Sequence, residues 1–502
     1  MHAEMKFVRV FLAAFLVASP VSTVSAADLP LIDSAKIRRE ILRSELIAKA
    51  IALEYFAYNF PERNRQIGTP AHNLTINWLK NTLEQYGDYY KTYFQPYPML
   101  LHVAANLTVN EKSLEVYALG MSPSGNAKGP LVHIPNLGCE KSDFPADLTG
   151  KIVLVSRGTC QSAIKVAYAG AANASGAIIY NVNNPLYSSM NGYSLQKTST
   201  PEGPYVPTGG ITKADGLDLV AKLDAGVEII ADLSTETVNK TTYNVIAQTT
   251  GGDQDNVLLL GAHTDSIAAG PGINDNGSGT SSLLEIAMQL PKFSLKNAVR
   301  FGWWTAEEPG LLGSTFYVAN LNQSEIDKIR LVLNFDMLAS PNYIYSIYDG
   351  DGSSFNQSGP PGSAEAEAAF QNYFTNIAHF NYTEIEFDGR SDYGPFLDVG
   401  IPCGGISTGA EGIKTVEEQA MFGGKAGVAY DVNYHGKGDN LSNLHLGAWT
   451  EMTKALAHVT ALYARSWESL PSRNVSVEAK RVAMKKRSSG GGLGSGKNSR
   501  YV

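Results

Sequence analysis

An α/β fold with a mostly parallel central sheet is predicted for this 502-residue chain by two patterns. From Asn244 onward, short apolar strands alternate with helical segments, an order that builds a layered sheet of parallel strands. Between Gly129 and Glu236 the helical spacing gives way to short strands separated by Pro, Gly and Asn turns. That change marks a second, β-rich unit. The length exceeds what one ordinary core organises, so two or three domains are expected.

The elements follow in chain order. From Ala35 to about Tyr58 the residues Ile37, Ile41, Leu46, Ile51 and Leu53 recur at helical spacing, and a second helix is expected over about 74–86. Strand-like segments run over about 90–119. In the β-rich unit, 150–156 and 176–180 read as strands. Beyond it, strands at 257–261, 298–305 and 331–336 alternate with helices at 278–290 and 311–321, and a final helix covers about 448–467. In such sheets the working residues gather at the carboxyl ends of the strands.

Composition narrows the function. Hydrophobic residues make up 44% and charged residues 18%, which is globular and not disordered. The net charge of −8 gives no basic surface for nucleic acid. Three cysteines are too few for a disulfide-stapled scaffold or a Cys-rich zinc module.

The ends point to export. Lys6 and Arg9, the apolar run from Val10 to Ala18 and the small residues Val24-Ser25-Ala26 read as a signal peptide over residues 1–26. The run is far shorter than the ~20 residues of a spanning helix, so no stable membrane anchor is expected. Ten Asn-X-Ser/Thr triplets agree with a eukaryotic secretory route, although Asn276 lies inside a motif described below and is expected to be bare. From Pro471 to Val502 there are eight basic residues and one acid around a Gly/Ser-rich run, which reads as a solvated, disordered tail. A secreted, extracellular monomer is the expectation, with vacuolar delivery the lesser alternative.

Five segments carry chemistry. The strand Leu258-Leu-Leu-Gly-Ala delivers His263, with Asp265 two residues on. Asp275 stands among glycines in Gly272-Ile-Asn-Asp-Asn-Gly-Ser-Gly279. Glu307 and Glu308 are adjacent directly after an apolar strand. Asp336 ends another strand, and Tyr434-His435 sits in a Gly-rich loop before the last helix. Singly, each has an ordinary explanation: a structural histidine, an Asx turn, a helix cap, an exposed loop. Only the paired glutamates resist one, because buried unpaired acids are costly. Together they offer His, Asp, Glu, Asp and His as ligands plus one spare glutamate. One bridging carboxylate, with one His and one carboxylate per metal, would build two zinc sites with open positions, an arrangement suited to hydrolysis.

These five segments, in this order, resemble the co-catalytic di-zinc aminopeptidases of the bacterial leucine aminopeptidase and aminopeptidase Y type. The stretch from Gly138-Cys139 through Lys151-Ile-Val-Leu-Val-Ser-Arg-Gly-Thr-Cys160 to Gly176-Ala-Ile-Ile-Tyr180 resembles a protease-associated domain. The whole is most similar to the secreted fungal leucine aminopeptidases. The resemblance implies a three-layer zinc-peptidase fold with an inserted protease-associated domain and a Cys139–Cys160 disulfide. It implies zinc held by His263 and Asp336 on one side and by Glu308 and His435 on the other, with Asp275 bridging. Glu307 would be the general base for a water bridging two zinc ions, Asp265 the acid orienting His263, and Tyr434 a transition-state donor. The substrates would be peptides with a free N-terminus, their first residue apolar and leucine-like. The segments 389–396 and 404–411 match too and would line the pocket.

The domains expected are a signal peptide (1–26), an N-terminal part of the peptidase domain (27–119), the insertion (120–240), the catalytic part (241–470) and the tail (471–502). One departure stands out. Many relatives place a cysteine just before the Tyr-His pair and another beyond it, as a disulfide at the pocket rim; here these positions are Asn433 and Gly438. The rim is therefore looser or braced otherwise, and Cys403 is left without a function. The rival readings are a carboxypeptidase or glutaminyl cyclase of the same superfamily, and an inactive receptor-like binding protein.

Overall fold

The computed structural model describes residues 29–119, 122–158, 160–181 and 201–472. The signal peptide expected at 1–26 and the tail beyond residue 472 lie outside them.

The strands are β1 (Tyr90–Val109), β2 (Lys112–Leu114), β3 (Tyr117–Ala118), β4 (Gly125–Ile134), β5 (Ile152–Ser156), β6 (Gly176–Tyr180) and β7 (Thr208–Ile211). They continue with β8 (Ile230–Thr249), β9 (Asp253–His263), β10 (Asn297–Trp304), β11 (Ile329–Phe335), β12 (Ser346–Tyr348), β13 (Thr383–Ile385) and β14 (Cys403–Ser407). The order across the sheet is β13-β12-β14-β11-β9-β10-β8-β4-β5-β6-β7-β3, with β1 on β8. β9, β10, β11 and β14 run parallel to one another, while β8 and β12 pair antiparallel with this group.

Period-two burial explains the layers. Leu258, Leu260 and Ala262 of β9, and Leu331, Leu333 and Phe335 of β11, face a core shared with the helices Arg43–Tyr58, Gly277–Gln289 and Leu446–Arg465. Leu259 and Val332 face the opposite core, with Tyr317, Phe396 and Cys403. Such strands are apolar on both faces because helices cover both sides. The first expected helix is divided: Ser34–Glu40 ends at Ile41, whose backbone is extended, and a new helix runs Arg43–Tyr58.

The long antiparallel strands β1 and β8 join the two units. Near one end, β8 pairs with β10 in the catalytic sheet; near the other it pairs with β4 of the β-rich unit. That unit has its own core, in which Val153, Val155, Ile179 and Val166 pack together. Cys139 and Cys160 form a disulfide there, and Cys403 is a buried free thiol.

Candidate active site

Three adjacent parallel strands set the site. Because β11, β9 and β10 run side by side in one direction, their carboxyl ends meet at one edge. β9 ends in His263, β10 is followed by Glu307 and Glu308, and β11 is followed by Asp336. Asp275 arrives from the turn before the helix Gly277–Gln289, and His435 from the loop preceding the last helix. Gly272 has φ +63°, and a β-carbon there would lie 2.3 Å from the Asp275 carbonyl oxygen, so only glycine fits this turn. Ala306, Met337 and His435 all adopt positive φ, a strained conformation of the kind that gathers where side chains must be aimed.

The result is two triads sharing one carboxylate. Asp275 Oδ1 lies 3.2 Å from His263 Nε2, and its Oδ2 lies 3.2 Å from His435 Nε2. His263 Nε2 is 3.4 Å from Asp336 Oδ1, and His435 Nε2 is 3.0 Å from Glu308 Oε2. Glu307 Oε2 stands farther off, 3.9 Å from His263 Nε2. The structure thus brings together all five expected ligands and the spare glutamate.

The donor set fits metal. The groups His263, Glu307, Asp336 and Asp275, Glu308, His435 each offer ligand atoms within 4.8 Å of one another. Asp336 Oδ1 and Glu308 Oε1 are buried without a hydrogen-bond partner among the described residues. Acceptors so placed are expensive unless a cation meets them. Without one, protons stand in. Burial would lower both imidazole pKa values, but the surrounding carboxylates push His263 and His435 well above the usual value. Burial pushes Glu307 well above the carboxylate range, and Asp392 up to about 7. Burial would raise Asp275 too, yet the two imidazoles hold it well below its ordinary value.

Asp265 lies against both His263 and the turn that carries the two glutamates. His263 Nδ1 is 3.2 Å from the backbone oxygen of Asp265 and 3.7 Å from its carboxylate. That carboxylate also accepts the backbone N–H groups of Glu307 and Glu308. Ser391 donates to Asp336 Oδ2 at 2.6 Å. Tyr434 stacks on His435 with centroids 3.9 Å apart, and its hydroxyl accepts from Arg390 at 3.2 Å. Asn276 is fully buried and donates to the Phe335 carbonyl.

A cavity of about 1150 Å³ opens from Asp275, Glu307, Glu308 and Asp336. Residues 389–391, Ser407 and residues 409–411 form part of its wall. The rim at Asn433 and Gly438 is braced by an amide: Asn433 Nδ2 donates to Asn443 Oδ1 at 2.7 Å, and its Oδ1 fills the space where Gly438 lacks a β-carbon. Spacing gave no signal for three buried groups behind the ligands: Arg65, Asp431 and Asp439.

Fold and site together define an α/β metallopeptidase. Residues 244–460 match Peptidase family M28, and residues 127–219 match the PA domain. A probable leucine aminopeptidase 2 of Aspergillus fumigatus is 50% identical over 440 residues, 87% of this chain and 86% of that protein. Leucine aminopeptidase 2 of Arthroderma otae is 45% identical over 448 residues, 88% of each. The aminopeptidase from Aneurinibacillus sp. strain AM-1 superposes with a TM-score of 0.67 at 25% identity, covering 88% of this chain and 99% of that one. A zinc aminopeptidase from Bacillus subtilis shares the fold at a TM-score of 0.65 and 22% identity, covering 87% and 97%. The chain belongs to peptidase family M28 and is a metallo-aminopeptidase with an inserted PA domain.

Proposed function

We propose that the chain is a secreted enzyme that uses two zinc ions to remove apolar, leucine-like residues from the amino ends of peptides. The observation that carries the reading is the Asp275 carboxylate, one oxygen on each imidazole, at the head of a substrate-sized cavity. In this reading His263 and Asp336 would hold one ion, Glu308 and His435 would hold the other, and Asp275 would serve both. When bound, the ions supply Lewis acidity and a water acidic enough to be deprotonated near neutral pH.

Glu307 is the general base. It stands beside the ligands, farther from His263 than Asp275 or Asp336, and is free to take a proton from the attacking water and deliver it to the leaving amine. Tyr434 is poised to help the developing oxyanion. Arginine only donates, so the Tyr434 oxygen accepts from Arg390 and its own proton remains available. Met337, Ile344, Tyr348 and Ile385 give the cavity apolar wall for a leucine-like side chain. Export rests on the N-terminal segment and the Asn-X-Ser/Thr triplets.

An aminopeptidase must meet an ammonium, and Glu307 and Asp336 are acids beside the metals that could do so. A carboxypeptidase needs a free cation for the substrate carboxylate. Arg390 lines the cavity but is paired with Glu411 at 2.9 Å. The test compares leucyl-anilide with its N-acetylated form and with a peptide blocked at its carboxyl end. Cleavage of the first and third, and not the second, is expected. Efficient cleavage of the acetylated substrate would sink the reading.

A further inference from the structure

We propose that Arg65 and Asp439 form a two-sided clamp on residues 271–275 and are the positioning residues that hold the Asp275 carboxylate between the two imidazoles. The inference rests on the two-zinc reading above.

The segment that presents Asp275 is short, and its carbonyls and N–H groups point to different partners. Its carbonyls meet Arg65: Nε donates to Pro271 O at 2.8 Å, and Nη2 to Gly272 O at 2.5 Å. Its N–H groups meet Asp439. The Ile273 N–H donates to the Asp439 backbone oxygen at 3.1 Å. The Asn274 N–H donates to Oδ1 at 2.7 Å and the Asp275 N–H to Oδ2 at 2.9 Å. Five consecutive residues are thereby gripped by a guanidinium from one part of the chain and a carboxylate from another. Both grips are dry: Arg65 is 0% exposed and Asp439 is 2% exposed.

Each grip also reaches a second ligand loop. Arg65 Nη1 donates to Thr264 O at 2.5 Å, and Thr264 directly follows His263. Asp439 lies four residues beyond His435 in the same loop. Arg65 therefore sets the Asp275 turn against the His263 strand end, and Asp439 sets it against the His435 loop. A bridging carboxylate needs both distances fixed at once, since an error of one ångström at either imidazole spoils the shared geometry.

The residue types suit this task. Arginine has a planar fork with several donors, and here it donates to three carbonyls and, among the described residues, to no carboxylate. A lysine ammonium is a single point and cannot reach three carbonyls in that geometry. Aspartate offers two oxygens to two successive N–H groups; asparagine offers one oxygen and sets an NH₂ against the other N–H. Behind Asp439, Asn274 and Asn443 both donate to Asp431, which stiffens the loop further. Arg65 precedes the PA insertion and lies outside residues 244–460, so the stretch before the insertion is a working part of the site.

The test uses the full zinc-loaded chain and two variants, Asp439→Asn and Arg65→Lys. Zinc per chain is followed by mass spectrometry across a graded series of a zinc chelator, and kcat and KM are measured on leucyl-anilide at saturating zinc. Groups that orient metal ligands are typically worth about 10–100-fold in affinity or activity. Each variant should therefore lose zinc at a chelator concentration at least about tenfold lower than the parent. Each should also keep a depressed kcat, with KM little changed, even when zinc is restored. A purely structural role would lower the melting temperature but leave the chelator midpoint and the kcat of the folded, zinc-saturated protein at parental values; that result overturns the clamp. Asp439→Asn is isosteric, so it decides the matter alone if Arg65→Lys does not fold. A parent chain holding fewer than two zinc ions would overturn the functional reading itself. Two tightly held ions in both parent and Asp439→Asn would overturn only the clamp.

Discussion

The Asp265 carboxylate grips the backbone at Glu307: Oδ1 accepts the Glu307 N–H at 3.2 Å, while Oδ2 accepts that of Glu308 at 3.3 Å. The buried acid thus fixes the turn that carries both glutamates. Asp265→Asn leaves one of the two N–H groups facing an NH₂. Turnover should fall by about 10–100-fold with KM nearly constant and zinc retained. Zinc analysis beside steady-state kinetics checks this. Loss of zinc as the first effect would instead make His263 the residue that Asp265 serves.

The Asn433–Gly438 brace makes a second prediction. A β-carbon on Gly438 would stand 2.1 Å from Asn433 Oδ1, so Gly438→Ala must push that amide away from Asn443. Overpacking of this kind typically costs about 1–3 kcal/mol. The variant should melt lower and show a raised KM, since the loop carries Tyr434 and His435 at the cavity wall. An unchanged melting temperature and KM would mean that the amide does not brace the rim.

The metal-free protein should lose stability as pH rises from about 4 to about 8. Burial pushes Asp392 up to about 7, and burial with the Asp431 charge pushes Asp439 up to about 8. An unfolded aspartate titrates near pH ~3.9, so the folded chain binds more protons across that window and its stability falls through it. His263 acts in the same direction. Burial lowers its pKa, but Asp336 and Glu307 raise it well above the usual value. The stability it contributes is complete below pH ~6.5 and is lost as pH rises through its folded value. Asp275, held below the ordinary range, has the opposite sign but acts only as pH falls below about 4. Zinc replaces these protons, so the rise in melting temperature on adding zinc should be greater at pH 8 than at pH 5. Calorimetric scans with and without chelator measure it. A metal-free chain that gains stability from pH 5 to pH 8 contradicts the prediction.

The legible parts were those written in local pattern. β9, β10 and β11 announced themselves as apolar runs ending in His263, Glu307 and Asp336, and parallel pairing then brought those ends together. The break at Ile41 was not legible, because apolar spacing continues across a helix interruption set by backbone conformation. Arg65 is not legible for another reason: its partners Thr264, Pro271 and Gly272 lie about 200 residues away and offer backbone carbonyls, which leave no mark in a side-chain pattern. Asp439 lies only four residues beyond His435, yet nothing local says that its oxygens turn back to the N–H groups of Asn274 and Asp275.

The most direct measurement is zinc content and turnover of Glu307→Gln, taken on the same preparation. If Glu307 is the base and the other five side chains hold the metals, the variant keeps two zinc ions per chain. Its kcat then falls by about 10²–10⁴-fold, the usual worth of general-base catalysis. Loss of a zinc ion from the variant, or turnover close to that of the parent, would contradict the division between ligands and base on which the account rests.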